Sequence, residues 1–356
     1  MNQYEIKNIK KQKEEISNED LDKLIRGKNI NFLIGSGASV PMYPTLSFGD
    51  GYPSFEDVVS HEKLTDSAKS FLYMHYFKKW LEPMALNYEM FYKKYGSYQT
   101  LKNYRNFINL LYAFLQNESN ELPKRINIFT TNYDLVFERI FDAFLVENPL
   151  IYFNDGSRGF FKKYISNQNF YLNVTHSGYN DNFKREVPTI NLFKLHGSLS
   201  WKTVILDNGK EKIQVDSSIQ KINDIRMLVK KIGLPSKTIQ RIIDGSKSDD
   251  VETFILKLNK LVQKLNIDKN KIQEFNFEYS QLPIINPDKY KFSKTVLEQH
   301  YYQLIRSFSY ELERKQSILI VFGFSFADEH IKDIFERSLL NPELLVIIIS
   351  YSKDGQ

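Results

Sequence analysis

The chain has 356 residues, 42% of them hydrophobic, enough for a full core and for more than one folding unit. It contains no cysteine, which excludes disulfides, thiolate catalysis and cysteine-bound zinc, and its mild charge of +5 permits a polyanionic partner without requiring one. No apolar run reaches membrane-spanning length and the N-terminus lacks the apolar stretch of a signal peptide, so a cytoplasmic protein with no membrane association is expected.

Ser17-Asn-Glu-Asp20 has the form of a capping box, and Leu21, Leu24 and Ile25 predict a short amphipathic helix closing near Gly27. The apolar run Asn31–Ile34 reads as a buried strand that breaks at Gly35-Ser36-Gly37-Ala38-Ser39. A strand ending in such a glycine turn is where an α/β sheet commonly receives a nucleotide phosphate. Alone the signal is weak, since the third glycine of the dinucleotide fingerprint is missing. A loop rich in Pro, Gly and Tyr follows from Pro41 to Pro53, and Ser54-Phe-Glu-Asp57 caps the next helix.

From about His61 to Gln116 the chain reads as helical and strongly aromatic, with Phe71, Tyr73, Tyr76, Phe77 and Trp80 prominent. Two readings stand: a helical subdomain with an aromatic core, or a surface that includes a subunit contact. Ile126–Phe129 is a second strand, running into Thr131-Asn132-Tyr133-Asp134 and then the helical stripe Leu135, Val136, Phe137, Ile140, Phe141 and Phe144. Asn191–Leu195 is a third, ending at His196-Gly197-Ser198. Ser317–Phe322 is a fourth, ending at Gly323-Phe-Ser325-Phe-Ala-Asp328, and Leu344–Ile349 a fifth, ending at Ser350. Near-continuous apolar runs suit parallel strands covered on both faces. The fold class is therefore α/β: a Rossmann-like parallel sheet with helices on both faces and two helical insertions.

Residues 206–281 form the second insertion, Lys- and Ile-rich and read as short helices. Between Trp201 and Ser280 there are 15 Lys and Arg against 11 Asp and Glu, so most of the positive excess lies there. Within 224–245 one helix ends at Gly233, a Leu-Pro-Ser turn follows, and a second helix runs from Lys237 to Ile243. That segment resembles the helix–turn–helix of phage-repressor-type regulators, which would present Lys237, Gln240 and Arg241 to nucleic acid. The other reading is an all-helical insertion that only packs on the sheet or on a neighbouring subunit. The sheet domain then comprises 1–60, 117–205 and 282–356, with 61–116 and 206–281 as insertions.

The strand ends taken together are more specific than any one of them. Gly35-Ser-Gly37-Ala-Ser39, Thr131-Asn132-Tyr133-Asp134, Lys194-Leu-His196-Gly197-Ser198 and Gly323-Phe-Ser325 occur in the order of the sirtuin motifs G-A-G-x-S, T-Q-N-x-D, L-H-G and G-x-S. In this combination the chain resembles the sirtuin-like NAD⁺-hydrolase domains of bacterial anti-phage defence systems, across the sheet and its edge loops. Pro283–Lys289 is similar to the proline-rich segment before the long helix of these domains. Ser36 stands where sirtuins usually carry alanine, and Thr131 follows Thr130 where they carry glutamine. The cysteine tetrad that binds zinc in protein-deacylating sirtuins has no counterpart, which disfavours deacylation.

The resemblance implies hydrolysis of NAD⁺ as substrate, with no metal expected. Asn132 and His196 would be catalytic, Asn132 orienting the ribose and water and His196 accepting a proton. Gly35, Ser36, Gly37 and Ser39 would hold the diphosphate, with Thr131 in the same binding set. Asp134 would contact the nicotinamide carboxamide, and Gly323, Ser325 and Ser350 the adenosine side. Structural alternatives remain: Asn132 as a helix cap, Asp134 as a first-turn acid, and Ser325 in a capping box with Asp328. His61, His75, His176, His300 and His330 have no such companions in sequence and read as structural, and no local spacing suggests a metal site.

The resemblance further implies a homo-oligomer whose activity is restrained until licensed. The chain ends soon after the fifth strand, so activation is expected from a separate partner, such as a DNA-translocating ATPase or an argonaute, or from a C-terminal sensor beyond this sequence. A second function class stays open: a module that holds NAD⁺ or ADP-ribose as a sensor ligand while residues 224–245 contact nucleic acid. Hydrolysis and ADP-ribose cyclisation are not distinguished by these residues.

Overall fold

The computed structural model describes residues 23–46, 48, 51–86, 95–119, 124–233, 236–247, 249–265, 268–287 and 299–349. The capping box at Ser17–Asp20 and the predicted ligand residue Ser350 lie outside them. The chain opens with β1 (Asn29–Ile34), then α1 (Phe55–Val59), α2 (Asp66–Tyr76), α3 (Glu82–Leu86) and α4 (Tyr95–Asn117). Next come β2 (Arg125–Thr130), α5 (Val136–Glu147) and β3 (Tyr152–Asn154). A series of short strands follows: β4 (Ser157–Arg158), β5 (Lys163–Ile165), β6 (Thr175–His176) and β7 (Arg185–Glu186). They lead to β8 (Thr189–Lys194), β9 (Trp201–Ile205) and β10 (Glu211–Val215). Four helices come after, α6 (Gln220–Ile232), α7 (Ser236–Asp244), α8 (Val251–Lys264) and α9 (Lys269–Ser280). The last elements are α10 (Gln299–Glu313), β11 (Ser317–Phe322), α11 (Glu329–Ser338) and β12 (Leu345–Ile349).

The centre is a six-stranded sheet in the order β12-β11-β1-β2-β8-β3, parallel throughout. After β1 the chain builds β2, β8 and β3 on one side, then crosses to β11 and β12 on the other. Direction therefore reverses between β1 and β11, the place where open α/β sheets bind ligands. Alternate side chains leave opposite faces. Ile30, Phe32 and Ile34 join α4 and α5 through Leu101, Ile108, Phe137 and Phe141, whereas Leu33, Phe129 and Phe193 join α10 and α11 through Leu304, Phe308 and Ile331. The α/β class with helices on both faces is thus the observed architecture.

One row crossing the sheet is polar. Asn31, Asn127, Asn191 and Asn154 are paired in register across four adjacent strands, and all four are buried. Asn127 Nδ2 donates to Asn31 Oδ1 at 2.9 Å, Asn191 Nδ2 to Asn127 Oδ1 at 2.8 Å, and Asn154 Nδ2 to Asn191 Oδ1 at 3.0 Å. The ends are tied off by Ser317 Oγ beside Asn31 and by the backbone of Asn169 and Gly156 beside Asn154. A one-residue slip would break every link, so the row specifies register as well as satisfying buried amides.

The helical insertions meet in one core. Phe55, Phe71, Phe77 and Trp80 pack with Ile222, Phe254, Ile255 and Phe275. Tyr73 and Tyr279 bring their ring centroids within 5.2 Å. The aromatic stretch beginning at His61 therefore supplies a core, with α4 turned instead onto the sheet. Helices α6, α7 and α8 fall where the helix–turn–helix reading placed them, and α6 closes at Gly233 with φ +71°. Lys237 and Arg241 are exposed on α7, while Ile239 and Ile243 are buried.

Two expectations are corrected. The sheet has a sixth strand, β3, only three residues long and on the edge. Residues 206–281 are not helical throughout: β9 and β10 form an antiparallel hairpin across Leu206. Gly209 takes φ +74° in its turn, as the Asp-Asn-Gly sequence favours. Among the described residues no helix is long and apolar enough to cross a membrane.

Candidate active site

Parallel pairing delivers the ends of β1, β2, β8 and β11 to one edge, and the predicted residues lie in the loops that leave them. The turn after β1 is a 3₁₀ turn, Ser36–Ser39, in backbone contact with the turn after β11. Gly35 N donates to Phe322 O at 3.1 Å and Gly37 N to Gly323 O at 2.9 Å. A Cβ at Gly35 would stand 2.5 Å from Gly323 O, and Gly323 itself takes φ +62° with Ala38 N close against it. These three glycines are required by the approach of two backbones at the reversal point. Gly35 is buried, while Ser36 and Gly37 are exposed on the edge.

Asn132 is buried and reaches this turn directly. Its Nδ2 donates to Gly35 O at 3.1 Å and lies 3.5 Å from Ser39 Oγ. It does not cap α5. That task falls to Asp134, whose Oδ1 accepts from Val136 N at 3.1 Å while Oδ2 accepts from Ser39 Oγ at 3.0 Å. Ser39 Oγ also lies 2.9 Å from the Tyr104 hydroxyl. Burial, and then the Asp134 charge, push that phenol well above its ordinary pKa, so it stays a neutral hydrogen-bonding group. Thr131 is half-buried, its backbone N donating to Ile34 O at 3.4 Å.

Lys194, the last residue of β8, is buried beneath the β2 loop. Its Nζ donates to the carbonyls of Asp134 and Asn132 and pairs with Glu138 Oε1 at 3.2 Å. Burial raises the Glu138 carboxyl above its ordinary pKa, against the opposing pull of Lys194. The lysine thereby fastens the loop that carries Asn132 to the strand that carries His196.

His196 follows on a turn held from the other side. Gly197 has φ +89° and packs on the backbone of Pro283, Ile285 N donates to His196 O at 2.9 Å, and the Tyr133 hydroxyl donates to Ile285 O. The proline-containing segment is thus a clamp on the histidine turn. His196 Nε2 lies 3.0 Å from Nε2 of His330 in the first turn of α11, and the two residues are only 3% and 6% exposed. A carboxylate oxygen of Asp328 completes a group of three ligand-type atoms within 4.8 Å of one another.

His330, which reads as structural in the sequence, is brought against His196 by the fold, a pairing hidden in sequence because the two stand 134 positions apart. A signal existed: Asp328-Glu-His330 directly follows a strand-end loop. Ser325 is exposed on that loop, and α11 begins only after Asp328 at its N-cap, so the capping box read from Ser325 does not form. Phe326 between them takes φ +57°, a strained conformation for an aromatic residue and one that gathers at functional loops.

The edge is therefore a ring of contacts, from the Gly35 turn to Gly323, to the Asp328–His330 segment, to His196, and back through Lys194 and Asn132 to Gly35. It offers an exposed glycine turn, one buried amide and a pair of imidazoles in hydrogen-bond contact through their Nε2 atoms. Compared with protein-family models and with curated proteins, the chain matches none.

Proposed function

We propose that this chain is an NAD⁺ glycohydrolase that cleaves the nicotinamide–ribose bond to give nicotinamide and ADP-ribose. One observation carries the reading: Asn132 and His196 follow adjacent parallel strands at the sheet edge and are both buried, and Asn132 bonds to the glycine turn at the reversal point. The order of motifs that resembles sirtuin-like NAD⁺ hydrolases supports the same assignment.

The chemistry asks for few groups. His196 takes a proton from water, whose oxygen attacks C1′ of the ribose through an oxocarbenium-like transition state. The C1′–N bond breaks, and its electron pair returns to the pyridinium nitrogen, which leaves as neutral nicotinamide. Asn132 orients the ribose hydroxyls and the water. The proton on His196 is shared with His330 across their 3.0 Å contact, next to the Asp328 carboxylate. Asp134, engaged by Ser39 and by the first turn of α5, holds the cleft wall in this scheme, with Ser36 and Gly37 exposed to receive the diphosphate.

In this reading the protein is a cytoplasmic, NAD⁺-depleting effector of a bacterial anti-phage system, homo-oligomeric and restrained until an activating partner or signal releases it. The sensor alternative draws on a specific observation: the Asn132 amide and the Asp134 carboxylate are both spent on holding loops, which a ligand-binding module without turnover also needs.

The test incubates the purified protein with NAD⁺, alone and with extract of phage-infected cells, and follows nicotinamide release. Turnover in the wild type that is lost in His196→Ala and Asn132→Ala is the expected result. Binding of NAD⁺ with no nicotinamide under either condition decides for the sensor, and turnover that survives both substitutions removes the assigned site.

A further inference from the structure

The contact between His196 and His330 has a third potential ligand beside it. The two Nε2 atoms stand 3.0 Å apart, and one ligand-type atom from each of His196, Asp328 and His330 lies within 4.8 Å of the others. In a tetrahedral zinc site with Zn–N bonds of about 2.0–2.1 Å, ligand nitrogens stand about 3.3 Å apart. The histidine pair therefore needs to open by a few tenths of an ångström, and the Asp328 carboxylate to swing in toward it, to admit an ion. Two imidazoles and one carboxylate are a donor set suited to borderline divalent metals, and three protein ligands leave a position for water or substrate.

The backbone that carries the three side chains is also fixed before any ion arrives. His196 sits on a turn pinned by Gly197 and by Ile285 N. Asp328 and His330 belong to the start of α11, where Ile331 N and Lys332 N donate to Asp328 O at 3.1 and 2.9 Å. We propose that His196, Asp328 and His330 bind a zinc-type divalent transition-metal ion. An ion there takes the lone pair that His196 needs as a base. Resting on the glycohydrolase reading, bound zinc therefore holds the enzyme inactive, and removing the ion restores turnover.

The test uses untagged full-length protein, freed of metal by a chelator. Titration with Co²⁺ should give the intense visible absorption of a low-coordinate cobalt centre at one equivalent, and Zn²⁺ should displace it. His330→Asn and Asp328→Asn should lose the band, whereas His176→Asn, at an exposed histidine far along the chain, should keep it. Zn²⁺ should raise the unfolding temperature of the wild type and leave that of His330→Asn unchanged, with circular dichroism confirming that each variant is folded. Absence of a stoichiometric band in the wild type, or its survival in folded His330→Asn, overturns the site. The two readings separate on the metal-free protein: a cobalt band together with no nicotinamide release from the chelator-treated, metal-free form removes the glycohydrolase and keeps the metal site, and turnover in a protein that binds no cobalt does the reverse. Turnover that persists with zinc bound overturns the inhibitory role.

Discussion

The same strands carry two buried polar arrangements a few residues apart, and they differ in how their hydrogen bonds end. In the asparagine row, Asn31, Asn127, Asn191 and Asn154 donate and accept in sequence, closed at one end by Asn29 O and Ser317 Oγ and at the other by backbone. At the carboxyl edge, Asn132 and Asp134 arrive on the loop after β2, Lys194 on the last residue of β8 and His196 just beyond it, tied to backbone and to neighbouring side chains. The row uses up its polar capacity within the sheet, so it specifies register and binds nothing. The edge leaves an exposed glycine turn and a hydrogen-bonded histidine pair, so it can receive a ligand. Polar burial by itself therefore does not mark a site; convergence from separate loops onto an open turn does.

Breaking one member of each arrangement should separate stability from activity. Asn127→Ala orphans Asn31 Oδ1 and leaves Asn191 Nδ2 only its bond to Phe170 O, and at about 1–3 kcal/mol for the unsatisfied acceptor plus about 1 kcal/mol for the lost hydrogen bond the loss is about 2–4 kcal/mol in urea unfolding. His196→Ala should cost about 1 kcal/mol of stability, the net worth of its hydrogen bond to His330. Its nicotinamide release should fall about 10²–10⁴-fold. An Asn127→Ala protein that unfolds at the wild-type midpoint would show that the row does not fix the sheet.

A pair of histidines belongs to neither arrangement and gives a smaller, pH-dependent effect. Among the described residues, Nε2 of His75 and Nε2 of His300 are buried without a hydrogen-bond partner, and burial pushes both side chains down to about 4. The unfolded chain takes up protons below pH 6.5 that the folded chain refuses, so stability is full above that pH and is lost as pH falls toward 4. Each histidine should account for about 2 kcal/mol between pH 6.5 and 5, at about 1.4 kcal/mol per pH unit. His75→Leu should shrink the measured drop by that amount, and an unchanged pH profile would mean that His75 is protonated in the folded protein.

What the sequence made legible follows from how local each signal is. Five strands were readable because runs such as Ile318–Phe322 and Leu344–Ile349 are continuously apolar and the others nearly so, and the strand-end motifs followed because parallel pairing carries them to one edge. β3 was not, because three residues carry no period. The β9–β10 hairpin was readable from Asp207-Asn-Gly209 between alternating residues, but the lysine-rich composition pointed to helix. The asparagine row and the His196–His330 pair depend on register and loop packing, and neither has a one-dimensional signature. Asn132 was assigned by its position after a strand, yet its bond to Gly35 O exists only in the folded sheet.

Asp134 stands on the border between the two arrangements, and the smallest predicted effect decides to which it belongs. Its oxygens are committed to Val136 N and Ser39 Oγ, which ties the glycine turn to the start of α5. Asn at this position keeps one acceptor for Val136 N, and its amide can donate to Ser39 Oγ, so both links survive without the charge. If the role is to fasten the loops, Asp134→Asn should cost about 1 kcal/mol of stability, the difference between charge-assisted and neutral hydrogen bonds. The KM for NAD⁺ should then stay within about threefold of wild type, under about 0.7 kcal/mol of binding. A tenfold rise in KM at unchanged stability would instead place the carboxylate against the nicotinamide carboxamide. That outcome would require Ser39 to release Asp134 when ligand enters, making the glycine turn a moving part of the cleft.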